Sequence, residues 1–311
     1  MRTQPPVRPE PAPRTRTLSS TPPLLPLLAR GALLSPFKRP RPDAPTPETR
    51  LLLPGVRIDL AHLAAYERVC GFPTGADALP VTYPHVLAFP LAMRIMAGRA
   101  FPLPLPGLVH TSIEITRHQE CTATAAYELG VRVEKLAPHR RGTEATVLTE
   151  ARVEGGLVWE SRSTYLARHG PRNADRDHGS AGGAPGTPPG VPAPDAGRSE
   201  PLPALAEWRL APDVGRRYGA VSGDRNPIHL HPVAARLFGF PGAIAHGMWT
   251  VARSLAQYGP RQAVAVRAEF RAPVPLPGTV TYAARGPSFE LRSGDRVHLT
   301  GDVRPPPARG E

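Results

Sequence analysis

The chain has 311 residues, a length that corresponds to about two domains of roughly 150 residues each. Hydrophobic residues make up 41% of it, enough for one or two cores, but 42 prolines and 29 glycines are too many for compact structure throughout. The formal charge of +12 does not by itself indicate a nucleic-acid ligand, because residues 1–50 hold nine basic residues against three acidic ones and so carry half of the excess.

Residues 1–50 contain thirteen prolines, interspersed with Arg, Ser and Thr. Such a composition buries too little apolar area to offset the entropy lost on ordering, so we expect a disordered tail. A translated upstream extension without function is an equally open alternative. The leucine-rich stretch at 24–34 is broken by Pro26 and Arg30 and resembles neither a membrane span nor a signal peptide.

The first folded block is predicted at 51–167. An apolar run at 84–97, stopped by Gly98, predicts a helix that is buried on most sides and interrupted at Pro90. Alternating apolar residues then predict strands around 109–115, 129–133 and 147–153, and a hairpin turn at 154–156 leads into a returning strand at 157–165.

A second block follows the same order. Residues 168–203 hold eight prolines and few large apolar residues, so we predict a flexible linker. The second block, 204–303, has apolar residues at helical spacing over 245–256, then strands at 264–270, 280–284 and on both sides of a turn at 293–295, and 304–311 is predicted as a tail. Two units with one element order predict an α+β fold with a structural repeat.

The two cysteines, Cys70 and Cys121, form neither a disulfide framework nor a zinc-type spacing. This pattern favours a reducing compartment, and we expect a cytoplasmic protein without membrane segments.

One segment of the second block could carry chemistry. It runs Tyr218-Gly-Ala-Val-Ser-Gly-Asp-Arg-Asn-Pro-Ile-His229 and is followed by His-Gly-Met at 246–248. Asp224 and His229, separated by a proline that can start a helical turn, could face one cleft and move protons together. The same residue types also favour turns and caps, so spacing alone leaves a plain Ser-Gly-Asp-x-Asn-Pro turn equally open.

The segment resembles the signature of the MaoC-like, (R)-specific enoyl-CoA hydratases, Tyr-x-x-x-Ser-Gly-Asp-x-Asn-Pro-Ile/Leu-His. The first block is similar, more loosely, to the amino-terminal half of bacterial two-hot-dog 3-hydroxyacyl-thioester dehydratases, through YPHVLAFPLAMRIM and FPLPLPGLVHTSIEITRH. The resemblance covers about residues 55–303. It implies a tandem hot dog fold, in which each unit wraps a helix in an antiparallel sheet and only the second unit is catalytic.

The resemblance also implies roles for single residues. Asp224 and His229 would be the catalytic pair, Asn226 their support, and the amide of Gly247 the donor to the thioester oxygen. Substrate-binding residues would be Ser222, Gly223, His246 and Met248. The implied reaction is the reversible hydration of a trans-2-enoyl thioester, carried on CoA or acyl carrier protein, to the (R)-3-hydroxyacyl thioester, with no cofactor.

Other residues suggest alternatives. His231 and His246 could join Asp224 and His229 as metal ligands, but the set lacks a recognised ligand spacing and we expect no metal. We interpret His85 and His110 as structural. Five arginines could meet carrier phosphates or form a solvated face: Arg225, Arg236, Arg253, Arg267 and Arg271. Rival functions are a non-catalytic acyl-thioester scaffold subunit and a hot dog thioesterase, and a homodimer is possible although one chain already supplies two units.

Overall fold

The computed structural model describes residues 14–40, 44–169, 201–259 and 264–307. The chain starts with β1 (Arg14–Thr17), α1 (Leu24–Leu34) and a short 3-10 turn at Ser35–Phe37. The first unit that follows consists of β2 (Thr49–Arg57), α2 (Leu60–Cys70), α3 (Tyr83–Met96), β3 (Leu108–Arg117), β4 (Ala126–His139), β5 (Gly142–Val153) and β6 (Gly156–Arg168).

The second unit repeats the arrangement. It consists of β7 (Ala204–Leu210), α4 (Val214–Ser222), α5 (Pro227–Leu230), α6 (Pro232–Leu237), α7 (Gly247–Tyr258), β8 (Val264–Phe270), β9 (Gly278–Arg285), β10 (Ser288–Ser293) and β11 (Arg296–Arg304). All eleven strands form one sheet in the order β1-β2-β4-β5-β6-β3-β8-β11-β10-β9-β7. Each unit covers one half of the sheet with a long helix, which is the tandem hot dog architecture predicted from the sequence.

The two long helices are buried for the reason that their sequences suggest. Most residues of α3 are buried, and α7 turns a broad apolar stripe that includes Trp249 and Leu255 into the core. The helix α3 runs through Pro90 without a break, so the predicted interruption is wrong. A proline leaves one carbonyl of the preceding turn without its donor, and here burial of the whole helix outweighs that loss.

The units are joined where β3 pairs antiparallel with β8, from Ser112 opposite Glu269 to Arg117 opposite Val264. A second link is the indole of Trp249 in α7, which donates to the carbonyl of Val69 in α2 at 3.0 Å. Backbone pairing and a partly buried hydrogen bond together hold the two units against each other.

Disorder over residues 1–50 is wrong for the described part of that segment. Strand β1 pairs parallel with β2, and Leu24, Leu27 and Leu28 of α1 pack against the core. The Ser35 hydroxyl accepts a hydrogen bond from the amide of Leu105 at 3.0 Å. The average composition of residues 1–50 does not reveal the local cluster of leucines in α1, and these leucines bury enough apolar area to order the helix.

Other differences concern elements that the periodicity did not predict. Each unit begins with a strand, β2 or β7, before its helices, whereas the sequence suggested helix first. The helix α2 was also missed, although Asp59 caps it by accepting from the amides of Ala61 and His62 at 2.9 and 3.1 Å.

Most of the predicted linker at 168–203 lies outside the described residues, and β11 extends to Arg304. In the described ranges, the helices are all too short or too polar to cross a membrane.

Candidate active site

The turn after α4 sets the direction of the Asp224 side chain. Gly223 ends α4 with φ of +75°, a conformation that favours glycine. The Asp224 amide then donates to the hydroxyl of Ser222 at 3.2 Å, and Ser222 itself is buried. The Ser-Gly pair therefore holds the backbone from which the Asp224 carboxylate projects, and that carboxylate keeps about a third of its surface exposed (32%).

The next residues turn the chain toward His229. The Asp224 carboxylate accepts from the amide of Asn226 at 3.2 Å, and the Asn226 side chain accepts from the amide of Ile228 at 3.4 Å. Pro227 occupies the first position of α5, where its missing N–H costs no hydrogen bond. The turn that the sequence suggested is therefore present, and it places His229 one helical turn after Asn226 on the side of Asp224.

Two imidazoles stack beside Asp224. The ring centroids of His229 and His246 are 3.8 Å apart. His229 Nδ1 donates to the carbonyl of Ile244 at 2.8 Å, and His246 Nε2 donates to the carbonyl of Asp224 at 2.9 Å. Because a carbonyl only accepts, each ring must carry its proton on the bonded nitrogen when neutral. His229 therefore keeps the lone pair on Nε2 free to accept a proton.

Burial keeps both rings uncharged. It lowers the pKa of His229, against the opposing pull of the Asp224 carboxylate. Burial and, to a smaller extent, the neighbouring His229 lower the pKa of His246 to about 4. A neutral His229 next to the Asp224 carboxylate can act as a base near pH 7.

Gly247 begins α7, directly after His246. No hydrogen bond from the described residues occupies its backbone N–H, which lies at the positive end of the helix dipole. A side chain at this position would meet the Phe270 ring, with Cε1 2.8 Å from the new Cβ. Glycine is thus required for close packing here, and the free amide is available to a carbonyl oxygen.

The first unit also reaches this site, through residues that the sequence analysis interpreted as structural. His110 of β3 packs against Phe270 with ring centroids 4.8 Å apart, against Tyr165 at 4.5 Å and, more loosely, against His85 at 6.4 Å. The charge of Asp224 acts on the pKa of both His85 and Tyr165, although burial dominates both shifts. His85 Nδ1 and His110 Nε2 have no hydrogen-bond partner among the described residues.

The structure brings together most of the residues that the motif singled out, but with different exposures. Asp224, His229 and Asn226 lie on one short loop, and Gly247 follows the stacked His246. Of the residues predicted to bind substrate, Ser222, His246 and Met248 are buried and Gly223 forms the helix end. Their contacts support positioning of Asp224 and α7, so substrate binding by them stays a prediction.

Asp224, His229 and His246 lie close enough together to be considered as metal ligands. One ligand atom each of Asp224, His229 and His246 lies within 4.8 Å of the others. His229 Nδ1 and His246 Nε2 are already bonded to carbonyls, which leaves His229 Nε2, the buried Nδ1 of His246 and the carboxylate. His231 does not join this group, since its ring caps α6 by accepting from the amide of Val233.

The arginines proposed for carrier phosphates are mostly engaged elsewhere. Arg267 and Arg271 both pair with Glu269. The guanidinium of Arg253 lies over the ring of Trp208, 4.8 Å from its centroid. Arg236 donates to the carbonyl of Pro241. Arg225 alone of the five is exposed without such a contact among the described residues.

Comparisons with known proteins agree with one another. Residues 197–291 match the family model described as a MaoC-like domain. The chain is 38% identical over 275 residues to 3-hydroxyacyl-thioester dehydratase X of Mycobacterium tuberculosis, an alignment that covers 85% of this chain and 92% of that protein. The crystal structure of HtdX from Mycobacterium tuberculosis superposes with a TM-score of 0.68 at 34% identity, covering 82% of this chain and 99% of the other.

A more distant structure shares the fold alone. The MaoC-like dehydratase from Phytophthora capsici superposes with a TM-score of 0.61 at 16% identity and covers 85% of this chain and 96% of that one.

Proposed function

Since the chain belongs to the MaoC-like family of 3-hydroxyacyl-thioester dehydratases, we propose that it catalyses the reversible hydration of trans-2-enoyl thioesters to (R)-3-hydroxyacyl thioesters. The observation that carries this proposal is the arrangement around Asp224. A carboxylate and a neutral imidazole with a free nitrogen lie on one loop, and the helix-start amide of Gly247 follows His246, which stacks on that imidazole.

The amide of Gly247 would bind the thioester oxygen. Negative charge develops on this oxygen as the enoyl group is attacked, and a fixed donor at a helix start stabilises it without reorganisation. One such donor contributes roughly 3–4 kcal/mol to the transition state in comparable oxyanion holes.

Asp224 and His229 would hold the water that attacks carbon 3. In the hydration direction the hydroxyl of this water bonds to carbon 3, its proton passes to the pair, and the pair delivers a proton to carbon 2. The free Nε2 of His229 and the Asp224 carboxylate can each take part, because the rest of each group is fixed by backbone hydrogen bonds. Ser222 and Asn226 position the carboxylate. His246 donates a hydrogen bond to the Asp224 carbonyl and stacks on the His229 ring.

The test is the loss of the conjugated-thioester absorbance when the purified protein is mixed with crotonyl-CoA. Asp224→Asn keeps the size of the side chain and removes its charge, and we expect turnover to fall about 10²–10⁴-fold. Asp213→Asn is the matched control, because among the described residues the Asp213 side chain makes no cap hydrogen bond and pairs only with the exposed Arg217.

Four outcomes would contradict the proposal. Unchanged turnover in Asp224→Asn would remove the proposed mechanism. Binding of the thioester without hydration would indicate a scaffold subunit, and release of free thiol would indicate a thioesterase. Loss of wild-type activity on treatment with a chelator, restored by a divalent metal, would assign the Asp224 group to a metal instead.

We also propose the finer features of the partner and the location. The substrate would be carried on CoA or acyl carrier protein, and the two hot dog units of one chain would supply the pairing that single-unit proteins obtain by dimerisation. Both cysteines are free and buried, which supports a cytoplasmic location.

A further inference from the structure

A cleft of about 370 Å³ lies between α1 and the end of α3 and contains a concentration of positive charge. Four arginines line it: Arg16 of β1, Arg30 of α1, Arg94 of α3 and Arg99 just beyond α3. None of the lining residues is acidic. We refer to it as the arginine cleft.

The four guanidinium groups have no neutralising partner in the part of the chain that the structure describes. Each lacks a hydrogen bond or ion pair there, whereas Arg267, Arg292 and Arg304 of the second unit's sheet each pair with a carboxylate. Four like charges around one concave surface repel one another, and an anion between them would relieve that repulsion. Burial and the charge of Arg30 lower the pKa of the neighbouring Lys38 to about 8, in agreement with a positive local field.

The remaining wall of the arginine cleft is apolar. Leu27, Ile95 and Phe101 contribute to it, together with several prolines. Apolar walls exclude water and strengthen charge–charge contacts, and the planar guanidinium fork matches phosphate oxygens in pairs. The ligand chemistry that fits is therefore a phosphate ester with an organic group attached to it.

The arginine cleft is connected to the candidate active site by α1. Leu24, the first residue of this helix, lies so close to Gly223 that any side chain at Gly223 would collide with it. Leu27 and Arg30 follow one and two turns later and line the cleft. At 1.5 Å per residue, Arg30 lies only about 9 Å along the helix from the residue that contacts the Asp224 loop.

We propose that the arginine cleft binds a phosphate group of the phosphopantetheine carrier while the thioester occupies the Asp224 site. This proposal rests on the proposed function, because it needs a thioester on such a carrier. The proposal gives residues 14–37 a role in substrate binding. It also assigns phosphate binding to the four arginines of the arginine cleft, rather than to the five arginines that the sequence suggested.

The experiment compares substrates that share the enoyl thioester and differ in phosphate. Hydration of crotonyl-CoA, crotonyl-4′-phosphopantetheine and crotonyl-pantetheine would be measured with wild type and with the double variant Arg30→Gln/Arg94→Gln. We expect the KM for crotonyl-CoA to rise at least about tenfold in the variant, as loss of charge-assisted contacts predicts. The kcat, and the KM for crotonyl-pantetheine, should not change.

Two further variants serve as a control for loss of charge and as a milder substitute for the double variant. Arg209→Gln removes an equal exposed charge from β7, at the opposite edge of the sheet, and should leave every KM unchanged. The single variant Arg99→Gln changes one exposed residue, so it replaces the double variant if that variant does not fold, and the KM for crotonyl-CoA should rise less with it.

The substrates identify the phosphate that is bound. A rise in KM that is equal for crotonyl-4′-phosphopantetheine and crotonyl-CoA assigns the cleft to the phosphate that both carriers share, and a rise for crotonyl-CoA alone assigns it to the nucleotide phosphates.

The proposal is overturned if the double variant keeps the wild-type KM for crotonyl-CoA, or if the KM rises equally for crotonyl-pantetheine. Failure of the proposed function would look different, since wild type would then hydrate none of the three substrates. In that case CoA binding by calorimetry still tests the cleft. Wild type should bind CoA and Arg30→Gln/Arg94→Gln should not, and equal binding by both would reject the site.

Discussion

At the scale of single residues, His229 and His246 differ in the nitrogen that each leaves free. His229 exposes Nε2 because Ile244 takes Nδ1, whereas His246 uses Nε2 for the carbonyl of Asp224 and leaves a buried Nδ1. The two histidines therefore have different roles. One ring can exchange a proton with substrate, and the other holds the backbone of the carboxylate.

The close contact between Gly247 and Phe270 allows a test of the oxygen-binding amide. Gly247→Ala places a methyl group 2.8 Å from Phe270 Cε1, so either the ring or the start of α7 must shift. We expect kcat for crotonyl-CoA hydration to fall about 10²-fold, the magnitude for loss of one oxyanion donor. Gly247→Ala/Phe270→Leu removes the clash and should regain part of the activity. A double variant as inactive as the single one would mean that packing at Phe270 is not the cause.

The motif residues were predictable because their function depends on local turns. Ser222, Asp224 and Asn226 are connected by hydrogen bonds between residues two apart, and such contacts follow from sequence spacing. The positions of His85 and His110 could not be predicted in this way. The pairing of β3 with β8 brings His110 to Phe270, and His85 of α3 lies beside His110.

At the scale of elements, the hairpin between β5 and β6 is set by two residues with positive φ. Glu154 has φ of +50° and Gly155 has φ of +80°, as a tight two-residue turn between twisted strands requires. Glycine adopts this conformation without strain, but glutamate does not.

Glu154→Asn should therefore stabilise the protein, because asparagine tolerates the left-handed region better than glutamate. We expect the free energy of unfolding to rise by about 1 kcal/mol, measured by urea denaturation. Glu144→Asn, in the extended strand β5, is the control and should give no gain. A loss of stability in Glu154→Asn would show that the glutamate side chain contributes more than its backbone strain costs.

The segment before β2 shows where element prediction failed. Proline content predicted disorder, yet β1 and α1 are ordered by partners that lie far away in the sequence, such as Gly223 and Leu105. A window average cannot include those partners, because they are brought together only by the fold.

At the scale of the whole molecule, several buried histidines are held neutral across both units. Burial lowers the pKa of His85 to about 4, of His110 to about 3 and of His246 to about 4. In the unfolded chain these groups titrate near 6.5. Between about pH 6.5 and pH 4 the unfolded state therefore binds more protons than the folded state.

Stability should consequently fall as the pH is lowered through this window. Each such histidine contributes up to about 1.4 kcal/mol per pH unit. Thermal unfolding measured between pH 7.5 and 4.5 should show a declining Tm. His110→Phe keeps a ring between Tyr165 and Phe270 and removes one titrating group, so its Tm should decline less steeply. Equal slopes for both proteins would exclude this explanation.

By itself the sequence determined the α+β repeat, the long buried helices, most strands and the Asp224 motif. These follow from periodicity and from turn chemistry, which act over a few residues. The tertiary structure decided the ordering of α1, the packing of His110 against Phe270, and the gathering of Arg16, Arg30, Arg94 and Arg99 around one cleft. Each of these depends on residues far apart in the chain, whose free energy of contact arises only when the whole sheet has closed around its helices.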